Sequence, residues 1–121
     1  MNPSLPTWAT FVPRFGVSVE ANLKLCAELE VRYLELNARQ FLANPDPDHG
    51  AALRAVWAEA EVTISSVHGP FGLDVSLAAE DDAVRVRAVE HWRRLLPSCA
   101  AAGARVVVAH PHADRTPPAD R

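Results

Sequence analysis

Apolar positions in the chain fall into two alternating patterns. Short runs rich in β-branched residues indicate buried strands, and the longer stretches between them carry apolar side chains at helical i, i+3, i+4 spacing. These patterns predict strands at residues 7–12, 32–37, 62–67 and 105–109, and helices at residues 18–30, 50–61 and 80–102. The resulting order, β1α1β2α2β3α3β4, predicts an α/β fold with parallel strands and right-handed crossovers.

Three local signals bear on where the helices end. Glu30 or Val31 stands at the end of the first helix, where a glycine usually takes up the left-handed conformation. Two Asn/Asp-Pro steps in residues 39–49 predict a loop that stops both helix and sheet. Pro97 predicts a kink or a break near Leu96 in the third helix, which should end at Gly103.

Two of the predicted strands end in a histidine. The strand at residues 62–67 delivers His68 and is followed by Gly69 and Pro70, which do not readily continue a sheet. The strand at residues 105–109 delivers His110, again before a proline. Because the carboxyl ends of parallel strands meet at one edge, we expect both imidazoles on the same rim.

These histidines are candidates for metal or substrate binding. Neutral imidazole suits Zn²⁺, Mn²⁺ or Co²⁺, but a tetrahedral site normally takes three protein ligands, and His112 is a candidate third. A strand-ending histidine otherwise only caps or hydrogen-bonds a loop. His49 and His91 are typical of surface or helix histidines.

Glu35 lies inside the second predicted strand, and a carboxylate there needs a partner. Two arrangements remain open from the sequence. Either Glu35 faces a polar interior, or it pairs with a basic neighbour such as Arg32.

Composition narrows the function classes. The 121 residues suffice for one domain, and 49% hydrophobic with 22% charged content is typical of a soluble globular protein. Twelve basic and 15 acidic residues give a net charge of −3, which makes nucleic acid an unlikely partner. The chain has no apolar run of membrane-spanning length, and Cys26 and Cys99 are expected to be buried free thiols of a cytoplasmic protein. No Gly-rich phosphate loop follows any strand.

Several segments together resemble the xylose-isomerase-like TIM-barrel superfamily, which includes sugar phosphate isomerases and epimerases and endonuclease IV-like enzymes. They are HGPFGLD at residues 68–74, AVRVRAVEHW at 83–92, AGA at 102–104 and VVVAHP at 106–111. The resemblance implies a partial (β/α)8 barrel, with residues 1–112 as its N-terminal half. Residues 113–121 are predicted to be a disordered tail.

The resemblance implies different roles in different branches. In endonuclease IV-like members the histidines that end the third and fourth strands are zinc ligands, and His68 and His110 match them. In the isomerase and epimerase branch, a divalent metal (Zn, Mn, Mg or Co) is held by strands five to eight, and residues of the third and fourth strands line the substrate pocket. We therefore expect His68 and His110, with Glu35, to line the substrate or metal pocket. That branch implies a sugar or sugar phosphate substrate and metal-assisted proton transfer next to a carbonyl. The catalytic carboxylate of that second half has no counterpart in these residues.

A non-catalytic alternative also remains. Four parallel strands that do not close leave open edges at the first and fourth strands, and RVVVA at residues 105–109 is an apolar edge. We therefore also expect association with a second copy or with another chain.

Overall fold

In the part of the chain that the structure describes, four parallel strands alternate with three α-helices. The computed structural model describes residues 8–9, 19–38, 45–70 and 72–111. The elements are β1 (Trp8–Ala9), α1 (Val19–Glu28), β2 (Tyr33–Asn37), α2 (Pro47–Glu59), β3 (Thr63–His68), a short 3-10 helix (Leu73–Val75), α3 (Asp82–Ala101) and β4 (Val106–Val108). The strands pair in the order β1-β2-β3-β4, all in parallel. This confirms the predicted α/β fold and strand direction, while the predicted tail at 113–121 lies outside the described residues.

The helices cover one face of the sheet with an apolar core. Leu34 and Leu36 of β2 are fully buried and belong to one hydrophobic cluster with Trp57 of α2 and Leu95 of α3. Burying a side chain of this size contributes about 1.5–3 kcal/mol. Because successive side chains of a strand point to opposite faces, Glu35 faces away from this helical layer.

The ladder between β2 and β3 contains an irregularity that matters for the site. Leu34 pairs with Ile64, but the next residue, Glu35, pairs with Ser66. Ser65 is therefore the extra residue of a β-bulge. A bulge shifts side chains from one face of a strand to the other, and here it places Ser66 on the face of Glu35.

All three helices end in the same backbone geometry. Glu30, Glu61 and Gly103 have positive φ angles of 54°, 59° and 93°. Each follows a helix by two residues, and its N–H and that of the next residue bond back to carbonyls of the last turn, as in a Schellman motif. The sequence predicts a residue other than glycine in the left-handed position after the first helix, but it does not predict the one at Glu61 after the second.

Two of the predicted helix limits are wrong. The loop predicted at 39–49 ends early, because the Asp46 side chain accepts from the N–H of Asp48 and Pro47 takes the first helical position of α2. Of the kink or break predicted near Leu96, the break is wrong, since α3 continues past Pro97 to Ala101. Pro97 lies on the exposed side of α3, where water can bond the carbonyl that the proline nitrogen cannot reach.

Three further sequence predictions concern the cysteines, the sheet edges and membrane segments. Cys26 and Cys99 are buried free thiols, as predicted. β1 and β4 are the outer strands of the described sheet, and Val106 of β4 is 57% exposed. Among the described residues, no helix combines the length and the apolar character that a membrane span requires.

Candidate functional site

His68 and Glu35 meet on the face of the sheet opposite the helices. His68 is the last residue of β3, and its Nδ1 lies 3.1 Å from Oε1 of Glu35 in β2. The other carboxylate oxygen, Oε2, accepts from the Ser66 hydroxyl at 2.8 Å. Glu35 is only 8% exposed, and both of its oxygens are occupied by these two contacts. A carboxylate oxygen only accepts, so the Nδ1 atom of His68 is the donor.

The imidazole of His110 contacts that of His68 from the end of the neighbouring strand. His110 follows the end of β4 by two residues, and its Nε2 lies 2.8 Å from Nε2 of His68, although the two residues are 42 positions apart. The ring centroids are 4.8 Å apart and the planes are tilted by 33°. In a neutral His68 that donates from Nδ1, the Nε2 atom is an acceptor, so His110 is the donor in this contact.

Loop contacts fix the backbone that follows each histidine. The Gly69 N–H donates to the Val108 carbonyl at 2.8 Å, which ties the turn after β3 to the end of β4. The carbonyl of Pro111 accepts from the Ser76 hydroxyl at 3.1 Å and from the Ala78 N–H at 2.9 Å. The loop after β3 thus holds the segment that carries His110.

The contacts of Glu35 decide between the two arrangements that the sequence leaves open. The pairing with Arg32 is wrong. Arg32 does not pair with Glu35; its guanidinium lies 3.6 Å from a carboxylate oxygen of Glu61. Glu35 lies instead among polar groups on the inner face of the sheet. Ser66 was missed in the sequence, where it appears only as a small residue in a β-branched strand. A polar residue within a buried strand was the one available signal, and its partner depends on the bulge at Ser65.

Two imidazole nitrogens are part of the donor set that a divalent metal site would need. The Nε2 atoms converge, and His68 donates its other ring proton to a carboxylate, the arrangement that orients imidazole ligands in many metal sites. Within the described residues, however, no group of three or more His, Cys, Asp or Glu side chains is placed to hold an ion. His112, the candidate third ligand, lies outside the described residues. The described residues therefore offer two imidazole nitrogens, which hydrogen-bond to each other and do not by themselves make a metal site.

The other described histidines are helical, as predicted. His49 lies in α2 and His91 lies in α3. Burial and the nearby Arg94 lower the pKa of His91, against an opposing effect of Asp74. His91 is thus favoured in its neutral form and is separate from the rim.

Parallel strands with polar residues at their carboxyl ends are the arrangement on which (β/α)8 enzymes build their sites. The chain belongs to the xylose isomerase-like TIM barrel family, whose model matches residues 23–121. The open, four-stranded sheet is part of such a barrel. A comparison with curated proteins finds no significant match.

Three solved structures share this fold. D-psicose 3-epimerase, solved in the presence of D-fructose, is 16% identical, with a TM-score of 0.63 over 76% of this chain and 31% of that one. The 3-keto-D-glucoside 4-epimerase of E. coli is 13% identical, with a TM-score of 0.61 over 81% and 35%. A xylose isomerase domain protein from Planctomyces limnophilus is 18% identical, with a TM-score of 0.64 over 84% and 40%. The chain therefore spans well under half the length of each of these proteins.

Proposed function

We propose that this chain supplies one part of the active-site rim of a sugar isomerase or epimerase. His68 and His110 bind the sugar substrate or a divalent metal ion there, and Glu35 holds His68 in place. The observation that carries the proposal is the 2.8 Å approach of the two Nε2 atoms at the carboxyl ends of adjacent parallel strands. The family match and two sugar epimerases of the same fold support a sugar or sugar phosphate as the substrate class.

The proposed reaction is proton transfer at the carbon next to a carbonyl. A bound Zn²⁺, Mn²⁺, Mg²⁺ or Co²⁺ ion would polarise that carbonyl. His68 offers its Nε2 atom to the rim, because its Nδ1 proton is donated to Glu35. Glu35 is buried behind His68 with both oxygens bonded, so its role in the pocket is to orient the imidazole. No general base is assigned among the described residues.

The remaining ligands and the base are proposed to come from outside the described residues. The relatives in the same fold are longer, and the chain covers 31–40% of their length. We accordingly expect no isomerisation by the described half-barrel alone.

The test is metal binding at the two histidines. Cobalt(II) is titrated into the metal-free protein, and the visible absorption of the ion and the heat of binding are followed. The expected result is binding that His68→Ala and His110→Ala each remove, while His49→Ala, which replaces a helical histidine, binds as the parent does. Unchanged binding in both rim variants would overturn the metal role. The substrate role is tested by titrating a ketose or a ketose phosphate into the parent and the same variants and following the heat of binding.

A second candidate is a metal-dependent hydrolase of the endonuclease IV type. The specific observation in its favour is that two imidazoles follow the ends of adjacent parallel strands with their Nε2 atoms 2.8 Å apart, at the positions where the resemblance implies zinc ligands. The net charge of −3 argues against a nucleic-acid substrate. Incubation with a duplex that carries an abasic site distinguishes the two, because only the hydrolase would nick it.

A third candidate is a non-catalytic half-barrel that associates through its sheet edges. The outer position of β4 and the 57% exposure of Val106 favour it. Light scattering during size-exclusion chromatography separates this candidate from the others. An assembly larger than one chain is expected if the edges pair, and a stable monomer would argue against it.

A further inference from the structure

Ser66 acts on the site indirectly: its hydroxyl group donates to Glu35, and Glu35 contacts His68 at the rim. We infer that Ser66 is a positioning residue, which holds the Glu35 carboxylate so that His68 keeps its proton on Nδ1 and presents an unprotonated Nε2 at the rim. The inference deepens the proposed function and rests on it in one respect, namely that a ligand meets Nε2 of His68.

The bulge in β3 is the first step of the argument. Without the extra residue, Ser65 would pair with Glu35, and strand alternation would turn Ser66 and His68 toward the helices. With the bulge, Ser66 pairs with Glu35 and His68 pairs with Asn37. Ser66, Glu35 and His68 therefore share one face of the sheet.

Burial is the second step. Ser66 is 6% exposed and Glu35 is 8% exposed, so water has little access to either carboxylate oxygen. The bond from the Ser66 hydroxyl at 2.8 Å occupies Oε2 and fixes the plane of the carboxylate. That plane directs Oε1 at Nδ1 of His68, 3.1 Å away. A buried acceptor that loses its donor rotates or rehydrates, and either change weakens the contact with His68.

The direction of the hydrogen bonds is the third step. Ser66 donates to Glu35. An ionised Glu35 accepts from Nδ1 of His68, and a neutral His68 then accepts at Nε2 from His110. A neutral imidazole carries one proton, so the proton on Nδ1 leaves the Nε2 lone pair at the rim. An isolated neutral imidazole side chain prefers the opposite tautomer, with its proton on Nε2. The orientation of Glu35 thus determines whether the Nε2 atom of His68 at the rim carries a lone pair or a proton.

Nitrogen-15 NMR of histidine-labelled protein tests the inference directly, because the chemical shifts of Nδ1 and Nε2 report which nitrogen is protonated. In mildly alkaline buffer the parent is expected to show a protonated Nδ1 on His68. Ser66→Ala is expected to move the His68 shifts toward the Nε2-protonated tautomer. Ser65→Ala is the matched control, since it removes the adjacent hydroxyl, which donates to the Leu34 carbonyl rather than to Glu35.

Two further variants test whether the change in the His68 tautomer comes from the lost hydroxyl group or from a general disruption of the strand. Ser66→Thr keeps the hydroxyl and is expected to retain the parent shifts. If Ser66→Ala does not fold, Ser66→Cys, which keeps the size of the side chain with a weaker donor, is expected to show the same tautomer change. Parent shifts of His68 in a folded Ser66→Ala or Ser66→Cys protein would overturn the inference.

Zinc titration separates this inference from the proposed function. Ser66→Ala is expected to bind Zn²⁺ about tenfold more weakly than the parent, a typical effect of losing support behind a histidine ligand, and Ser65→Ala is expected to bind it equally well. A parent that binds no Zn²⁺ would contradict the metal role alone, because the NMR comparison still decides the role of Ser66. A parent that binds Zn²⁺ with the His68 shifts unchanged in Ser66→Ala would contradict the role of Ser66 alone.

Discussion

Glu35 and His68 are 33 residues apart in the sequence, yet Oε1 of the glutamate lies 3.1 Å from Nδ1 of the histidine. The contact joins the second and third strands just below the rim. It orients the imidazole of His68 from behind the rim.

Replacing Glu35 with glutamine tests this contact. Glu35→Gln keeps the shape of the side chain but weakens the acceptor for Nδ1 of His68. We expect the affinity for Zn²⁺ to fall by about tenfold or more, as it does when other carboxylates behind histidine ligands are changed. Calorimetric titration measures it. Glu90→Gln is the matched control, because Glu90 lies on the exposed side of α3, where its carboxylate accepts from Arg93 at 2.6 Å.

An equal affinity in the Glu35→Gln and Glu90→Gln proteins would show that Glu35 does not support the histidine. A loss of folded protein in Glu35→Gln, seen by circular dichroism, would instead assign the contact to stability.

Gly69 is expected to tolerate no side chain. A Cβ atom there would overlap the ring of Trp92 and lie 2.6 Å from the Val108 carbonyl oxygen, to which the Gly69 N–H also donates. Gly69→Ala should lower the free energy of unfolding by about 1–3 kcal/mol, the usual cost of overpacking. Urea denaturation measures the change. An unchanged midpoint would mean that the turn after His68 is not packed against β4 in this way.

Glycine should stabilise the protein at Glu30. Its φ of 54° is unfavourable for a residue with a side chain and costs about 1–2 kcal/mol, part of which is offset by the greater freedom of glycine in the unfolded chain. We expect Glu30→Gly to raise the free energy of unfolding by about 0.5–1 kcal/mol, measured by urea denaturation.

The control for this prediction is glycine at an ordinary helical position. Glu59 is the last residue of α2, and Glu59→Gly should destabilise the protein by up to about 1 kcal/mol. If both variants shift stability in the same direction, the left-handed conformation at Glu30 is contradicted.

Cys99 should be inert in the folded protein. Burial raises the pKa of its thiol from 9.0 to about 11 and leaves the side chain 1% exposed. We expect no reaction with a thiol reagent near neutral pH until the protein unfolds, as followed by mass spectrometry. Rapid modification of the native protein would contradict the burial.

The same pKa sets a dependence of stability on pH. The folded pKa lies above the unfolded one, so the contribution of Cys99 is fully present below about pH 9 and is lost as the pH rises toward about 11. Cys99→Ala should remove this part of the alkaline decline in the free energy of unfolding. An identical decline in parent and variant would assign it to other groups.

The sequence predicts much of the fold because its signals are local. Alternating β-branched runs and helical spacing are enough for the order of elements and the parallel sheet, and His68 and His110 stand out as residues that end strands. The start of α2 was missed because an Asp-Pro step stops one helix and begins another, and only the bond from Asp48 to the Asp46 side chain distinguishes the two.

The contacts behind the histidines could not be predicted in the same way. The partner of Glu35 depends on the register between two strands, and one extra residue at Ser65 changes that register. Local patterns do not specify a bulge, so Arg32, which is close in sequence, was the natural candidate. The role of Ser66 follows only from the paired strands.

The most direct test of the central claim is a crystal of this protein grown with Zn²⁺ and measured at the zinc absorption edge. We predict an anomalous peak bonded to Nε2 of both His68 and His110, with Glu35 still bonded to Nδ1 of His68. Zinc peaks elsewhere on the protein with none at this pair, or rings of His68 and His110 that point away from each other, would contradict the account.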